Sequence, residues 1–349
     1  MRFYHLSHTD LDGYGCQLIS KQYFKDAKFY NANYGLEVKL SLEIIINDIK
    51  NHLNEEIFIL ISDLNLTVDE AKTLDNTINQ LNENGAKIKL QLLDHHATGE
   101  QSAKNHPSWY FLDPSKCATK IVYEYFLEHY GKSDIDSWLK PLVDAINAID
   151  IWLDDQVDDF EFGKVLLLLI SKANEINATL FADLNRDYRL YLLQEAAKFL
   201  NTPNRHIALD DEIHFIKKRY LQKNHDNNTI ANLSASYLVD TLVKYKDQFT
   251  ITYKGHKGLL TYTLGSISIP ANAFLKANPD YDFFIDVGRR GHVGFRADDK
   301  VNVGIMASKI ANGGGHPNAS GGKFKDFTET IIYEDVKKFV QNKLDKLNM

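Results

Sequence analysis

Glu56-Ile-Phe-Ile-Leu-Ile-Ser62 is a nearly continuous apolar run closed by Asp63. A run with no polar alternation reads as a strand covered on both faces, the kind found inside parallel sheets. Just downstream, Thr67-Val-Asp-Glu70 fits a capping box, which opens a helix reaching about residue 82. Residues 87–93 then form a second strand of the buried type. Working upstream, residues 3–7 read as a strand, 13–24 as a helix, 28–33 as a strand and 36–52 as an amphipathic helix. Strand and helix alternating in this way indicate a parallel sheet with right-handed crossovers. The expected class is α/β, with a doubly wound, mostly parallel sheet in the N-terminal domain.

Beyond residue 112 two helices are expected, over 115–130 and 137–149, and residues 155–223 read as mostly helical with Pro203 as punctuation. After about residue 224 the pattern changes to strands with Gly-rich turns, at 257–264, 282–287 and 292–296. A helix over 302–311 runs into Gly313-Gly314-Gly315, and a last helix covers 326–346. The expected organisation is a catalytic domain over 1–200, a helical connector over 201–225, and a smaller α/β domain with a mixed sheet over 226–349.

The 349 residues suit two domains, and 44% hydrophobic with 25% charged residues supplies each with a core. That composition excludes a disordered or collagen-like chain. Two cysteines, Cys16 and Cys117, cannot build a disulfide framework or a Cys-rich zinc cluster. The N-terminus lacks the basic stretch and apolar core of a signal peptide, and the longest aliphatic run, 165–170, is far short of a bilayer span. A soluble cytoplasmic protein is expected. A net charge of −7 argues against a general DNA-coating role, but it is unevenly spread. Residues 225–349 carry 16 Lys and Arg against 13 Asp and Glu, whereas residues 1–224 carry 24 against 34. The acidic part suits divalent cations and the mildly basic part a polyanion.

Four segments fall at or just beyond the ends of expected elements, where α/β proteins place their chemistry. They are His8-Thr-Asp10-Leu-Asp12-Gly13, Asp63, Asp94-His95-His96, and Asp150 at the close of an apolar helix. If the first segment stays extended, alternation sends His8, Asp10 and Asp12 the same way, and Gly13 and Gly15 let the next helix approach closely. Taken singly, an Asp after a strand is an ordinary helix cap or turn residue. Three strands each delivering carboxylate or imidazole at one end of a sheet are a different matter. Asp10, Asp12, Asp63 and Asp150 gathered together would raise one another's pKa values unless cations neutralised them. Two divalent cations would do so, with His8 and His95 as nitrogen ligands. Mixed carboxylate and imidazole ligation suits Mn²⁺ first, with Mg²⁺ or Co²⁺ as the other candidates.

In order along the chain, His8-x-Asp10-x-Asp12-Gly13, Asp63, Asp94-His95-His96, Asp150 and Gly313-Gly-Gly-His316-Pro-Asn-Ala-Ser-Gly321 resemble the motifs of the DHH phosphoesterase superfamily. The last is similar to the glycine-histidine signature of the associated C-terminal domain, with Ser320 where relatives commonly carry alanine. The resemblance implies one metal held by His8, Asp10 and Asp63, and another by Asp12, Asp63, His95 and Asp150, with Asp63 bridging. It implies Asp94 as a carboxylate orienting a ligand and His96 as the residue facing the substrate phosphate. Ile149-Asp-Ile-Trp152 also resembles the corresponding family segment. Gly313, Gly314, Gly315 and His316 would bind phosphate through backbone amides and imidazole, and Arg296, on a strand leading to that loop, would grip it with a planar fork.

The chain most resembles the oligoribonuclease (nanoRNase) branch. That implies hydrolysis of short single-stranded oligonucleotides to nucleoside 5′-monophosphates, by two-metal activation of water. A pAp phosphatase and a (cyclic) dinucleotide phosphodiesterase are the alternatives. An inorganic pyrophosphatase is less favoured, because the Ser-Arg-Lys motif of that branch is absent. A non-catalytic nucleotide-binding regulatory protein would be expected to lack a ligand, and none is missing. The expected partner is a short oligonucleotide or nucleotide, with neither membrane nor long duplex DNA; a homodimer stays open.

Overall fold

A computed structural model of the chain describes residues 1–132, 136–223 and 227–347. The chain divides into two compact units, one of Met1–Asn174 with Arg186–Ile216, the other of Glu175–Asn185 with Lys217–Met349. The expected connector end at residue 225 and domain start at 226 lie outside the described residues.

The first unit alternates strand and helix as the apolar runs require. Its elements begin β1 (Arg2–Ser7), α1 (Leu11–Tyr23), β2 (Lys28–Asn31), α2 (Leu36–Ile49), β3 (Glu56–Ser62), α3 (Val68–Glu83) and β4 (Lys87–Asp94). A short α4 (Glu100–Asn105) and β5 (Tyr110–Leu112) follow, then α5 (Ala118–Tyr130), α6 (Asp136–Asp150) and α7 (Val157–Ser171). The five strands form one parallel sheet in the order β2-β1-β3-β4-β5. From Ile57 to Ser62 every residue of β3 is buried, because apolar clusters cover both faces. One cluster gathers Ile57, Ile59 and Ile61 with α2 and α3; the other gathers Phe58 and Leu60 with α1 and α5. The Thr67–Glu70 capping box is formed in both directions.

The division between units falls within α8 (Ala182–Ala197) and α9 (Arg205–Leu221). The second unit continues with α10 (Ile230–Lys244), α11 (Lys246–Phe249), β6 (Thr250–Tyr253), β7 (His256–Tyr262), α12 (Ser268–Ala277), β8 (Phe283–Val287) and β9 (His292–Ala297). It ends with α13 (Val303–Ile310), β10 (Gly314–His316), β11 (Ala319–Lys323) and α14 (Tyr333–Asp345). Its sheet runs β10-β11-β9-β8-β7-β6, with β7 and β8 parallel and the other neighbours antiparallel. The α/β class with a mixed second sheet is thus observed.

Three local expectations are corrected. The strands after residue 224 are preceded by α10, which Thr229 caps and which buries Leu233, Ala235, Val239 and Leu242. The last helix starts at Tyr333, because Thr328-Glu-Thr-Ile-Ile332 is rich in β-branched residues, and Ile332 is extended. Gly314–His316 is not only a helix end running into a loop. It pairs with β11 as an edge hairpin.

Candidate metal centre

The order of the first sheet places the cluster. Strand β1 has β2 on one side and β3 on the other, so chain direction switches between β1 and β3, and a crevice opens at their carboxyl ends. Ser7 pairs with Ser62 and Ser62 with Leu93, so the chain leaves three neighbouring strands at one level. Asp63 turns out of β3 with φ +56°, a left-handed conformation that Asp tolerates better than most residues. Its amide donates to Leu93 O at 3.2 Å.

The expected extension of residues 8–12 is also corrected. Strand β1 stops at Ser7, Asp10 becomes the N-cap of α1, accepting from Gly13 N at 3.0 Å, and Asp12 sits in the first helical turn. The three side chains converge because the helix begins there, and it can begin there because Gly13 lacks a Cβ, which would collide with the His8 backbone.

Every expected residue of the first unit joins the cluster. His8 Nδ1 lies 2.8 Å from Asp10 Oδ2 and 3.7 Å from Asp63 Oδ2. His95 Nε2 lies 3.4 Å from Asp63 Oδ1 and 3.7 Å from both Asp12 Oδ2 and Asp150 Oδ2. Asp150 is the last residue of α6. His96 Nδ1 is 2.8 Å from Asp94 Oδ1 and 3.9 Å from Asp63 Oδ1. Three groups converge closely enough to hold a cation: His8, Asp10 and Asp63; Asp63, His95 and His96; and Asp12, His95 and Asp150.

Charge makes the arrangement uncomfortable by itself. Burial first, then the charges of Asp12, Asp10 and Asp150, push the Asp63 carboxyl well above its ordinary value. Burial, then Asp12 and Asp10, raise Asp150 to about 8. Burial would also raise Asp10, but the hydrogen bond and charge of His8 bring it down to about 2. Among the described residues, every ion pair of these four carboxylates is with His8, His95 or His96. Asp63 Oδ2 is buried with no hydrogen-bond partner. An orphaned carboxylate oxygen amid three further carboxylates and two imidazoles is a donor set that fits divalent cations. Burial raises both Cys16 and Cys117 well above the usual thiol value, so neither is a thiolate nucleophile.

Structure adds what sequence reasoning missed. Both Asp12 oxygens accept from the start of α5, Oδ2 from Ala118 N and Oδ1 from Thr119 N, each at 2.7 Å. Asp94 makes its close bond to His96, with Tyr110 OH at 3.5 Å. Tyr34, 44% exposed, places its hydroxyl 3.2 Å from His96 Nε2 and its ring 5.2 Å from that of His8. The available signal was its position just beyond β2, at the same sheet edge as the acidic residues.

Arg296, Gly313, Gly314, Gly315 and His316 belong to the second unit. His316 pairs with Ala319, and Ala319 with Arg296, so His316 and Arg296 flank Ala319 in register, their backbone positions about 10 Å apart by strand spacing. The guanidinium donates to Phe295 O and to Ser268 Oγ, each at 2.8 Å. Ser320 is buried, and its hydroxyl donates to Val303 O at 2.7 Å, tying β11 to α13. The glycines are not equivalent: a Cβ at Gly313 would collide with Gly321 O, whereas one at Gly314 meets nothing. Gly313→Ala should therefore destabilise the protein by about 1–3 kcal/mol, with Gly314→Ala near neutral. Thermal melts of the two variants check this, and equal melting temperatures would contradict it.

Comparison with known proteins completes the picture. The description "DHH family, N-terminal domain" matches residues 2–146. A 3′,5′-cyclic-nucleotide phosphodiesterase of Helicobacter pylori is 43% identical over 343 residues, which are 98% of each chain. Oligoribonuclease NrnB of Bacillus subtilis is 25% identical over 93% of this chain and 73% of its own. A crystal structure of an uncharacterized protein from Helicobacter pylori G27 superposes with TM-score 0.94 at 43% identity, covering 99% of both chains. No helix among the described residues is long and apolar enough to cross a membrane.

Proposed function

The chain belongs to the DHH family and is a phosphoester hydrolase, and from that premise we propose that it cleaves small nucleotide phosphodiesters, 3′,5′-cyclic nucleotides first among them, with two divalent cations. The observation that carries the chemistry is the convergence of three carboxylates and two imidazoles on Asp63, whose buried Oδ2 has no hydrogen-bond partner. For the substrate, support comes from end-to-end likeness to a cyclic-nucleotide phosphodiesterase. Short oligonucleotides are the second reading, favoured by the likeness to NrnB.

In this reading His8, Asp10 and Asp63 hold one cation, and Asp12, Asp63, His95 and Asp150 the other, with Mn²⁺ the expected ion. When bound, such cations supply a nucleophilic water at neutral pH and neutralise the phosphoryl oxygens. The chain's own residues do the rest. Asp94 fixes the His96 ring through Nδ1, and Nε2, which lies 3.2 Å from Tyr34 OH, is the atom that donates a hydrogen bond to a phosphoryl oxygen or to the departing ribose oxygen once substrate displaces that hydroxyl. Burial works against a proton on His96, but the Asp94 hydrogen bond and the charges of Asp94, Asp12 and Asp10 prevail and raise its pKa. Arg296, His316 and the β10 amides bind substrate phosphate.

A substrate panel tests the proposal: cyclic AMP and cyclic GMP, di- to pentanucleotides, pAp and pyrophosphate, each with Mn²⁺, Mg²⁺ or Co²⁺ and with chelator. The expected result is Mn²⁺-dependent release of nucleoside monophosphate from a diester, abolished by chelation. Exclusive turnover of pyrophosphate, or full activity in chelator, would overturn it.

A further inference from the structure

Helix α6 delivers Asp150 and then ends in an unusual way. Leu153 N donates to Ala148 O at 2.7 Å, the six-to-one bond of a Schellman turn. The residue that must turn left-handed in such a cap is Trp152, with φ +59°. Glycine holds this position by default, because a Cβ there crowds the following carbonyl. A tryptophan in glycine's place is backbone strain, and strain of this kind persists where a side chain is needed for function. Packing does not explain it, since the side chain is 65% exposed. Buried Phe160 meets the indole edge-to-face at 5.0 Å and 82°, which sets its plane and leaves much of the ring in water.

An oriented, open indole therefore stands two residues after a carboxylate whose Oδ2 is 3.7 Å from His95 Nε2. We propose that Trp152 is the platform on which the substrate's nucleobase stacks. This rests on the phosphodiesterase reading above and adds to it a base-binding subsite in the first unit. Stacking accepts any base, because every base offers a π-face. The subsite thus selects nucleotides over base-free phosphodiesters and does not discriminate adenine from guanine.

The test compares wild type, Trp152→Gly and Trp152→Phe with Mn²⁺ on cyclic AMP and on the cyclic 3′,5′-phosphate of 1-O-methylribose, which lacks a base. Trp152→Gly should raise KM for cyclic AMP roughly 10- to 100-fold, with kcat within about threefold, while Trp152→Phe keeps most of the affinity. KM for the base-free diester should be unaffected. Glycine relieves the left-handed strain, so the melting temperature should hold or rise, which separates loss of binding from loss of fold. Independently of turnover, titration with AMP should quench tryptophan fluorescence in wild type and not in Trp152→Phe. Unchanged KM and quenching in the variants, with hydrolysis intact, would overturn the stacking role and spare the phosphodiesterase reading. Unchanged KM with a dimer converted to monomer would overturn it too, by making the indole an interface residue. Failure of wild type to turn over any nucleotide would remove the reading on which the subsite rests.

Discussion

Asp63→Asn should lower kcat by roughly 10³-fold or more and yet leave the metal-free protein at least as stable as wild type at neutral pH. Loss of activity follows from position, since Asp63 belongs to two of the three candidate cation groups, one with His8 and Asp10 and one with His95 and His96. Stability follows from burial and charge. Asparagine fits the left-handed backbone at φ +56° about as well as aspartate. It also removes a carboxyl that burial and Asp12, Asp10 and Asp150 hold well above the ordinary 3.8. A carboxyl with a raised native pKa binds more protons folded than unfolded between those two values. Metal-free wild type should accordingly lose stability as pH rises above about 4, until the raised native value is passed. Mn²⁺ should restore it by mass action. Melts in EDTA and in Mn²⁺ across that range check the argument, with a shallower slope and a smaller Mn²⁺ shift expected for Asp63→Asn. Turnover near that of wild type would remove Asp63 from the site.

That Asp63 mattered was legible, because an unbroken apolar strand ends on it. Its left-handed turn and its missing hydrogen-bond partner were not, since both depend on how β4 lies against β3. The same limit recurs elsewhere. Alternation gave the right outcome for His8, Asp10 and Asp12 for the wrong reason: the segment converges as a helix start, not as an extended strand. Strand β3 was readable because it is buried on both faces and so apolar from Ile57 to Ile61, and β4 because buried Ile88, Leu90, Leu92 and Leu93 are set off by exposed Lys87 and Lys89. By contrast β5 has three residues and β10 is Gly-Gly-His, too short or too glycine-rich to show a period. Tyr34 carries no signature among 18 tyrosines, and the family-like segment Ile149-Asp-Ile-Trp152 marks Trp152 without indicating an exposed ring on a left-handed backbone. Their placement stands out only when exposure, hydrogen bonding and φ are known.

Asp12 belongs to the same cluster, and the opposite stability outcome is expected there. Its two oxygens take Ala118 N and Thr119 N at 2.7 Å each, while the N-cap of α5, Cys117, makes no side-chain cap bond. The capping group of α5 has come from a residue more than a hundred positions away, and α5 in turn holds the Asp12 carboxylate beside His95. Ala118 and Thr119 are fully buried, so water cannot replace the lost acceptor. Asp12→Ala should cost about 2–4 kcal/mol, the sum of two buried amides left unsatisfied, and lower the melting temperature by several degrees. Asp12→Asn keeps one acceptor and turns an N–H₂ toward the other amide, so an intermediate loss is expected. Both should also abolish turnover. Melts in EDTA isolate the cap from any bound cation. In that buffer Asp12→Asn and Asp63→Asn, the same exchange made twice in one cluster, should move the melting temperature in opposite directions. If Asp12→Ala melts with wild type there, α5 does not depend on this carboxylate, and Asp12 is held in place by something other than the helix it caps.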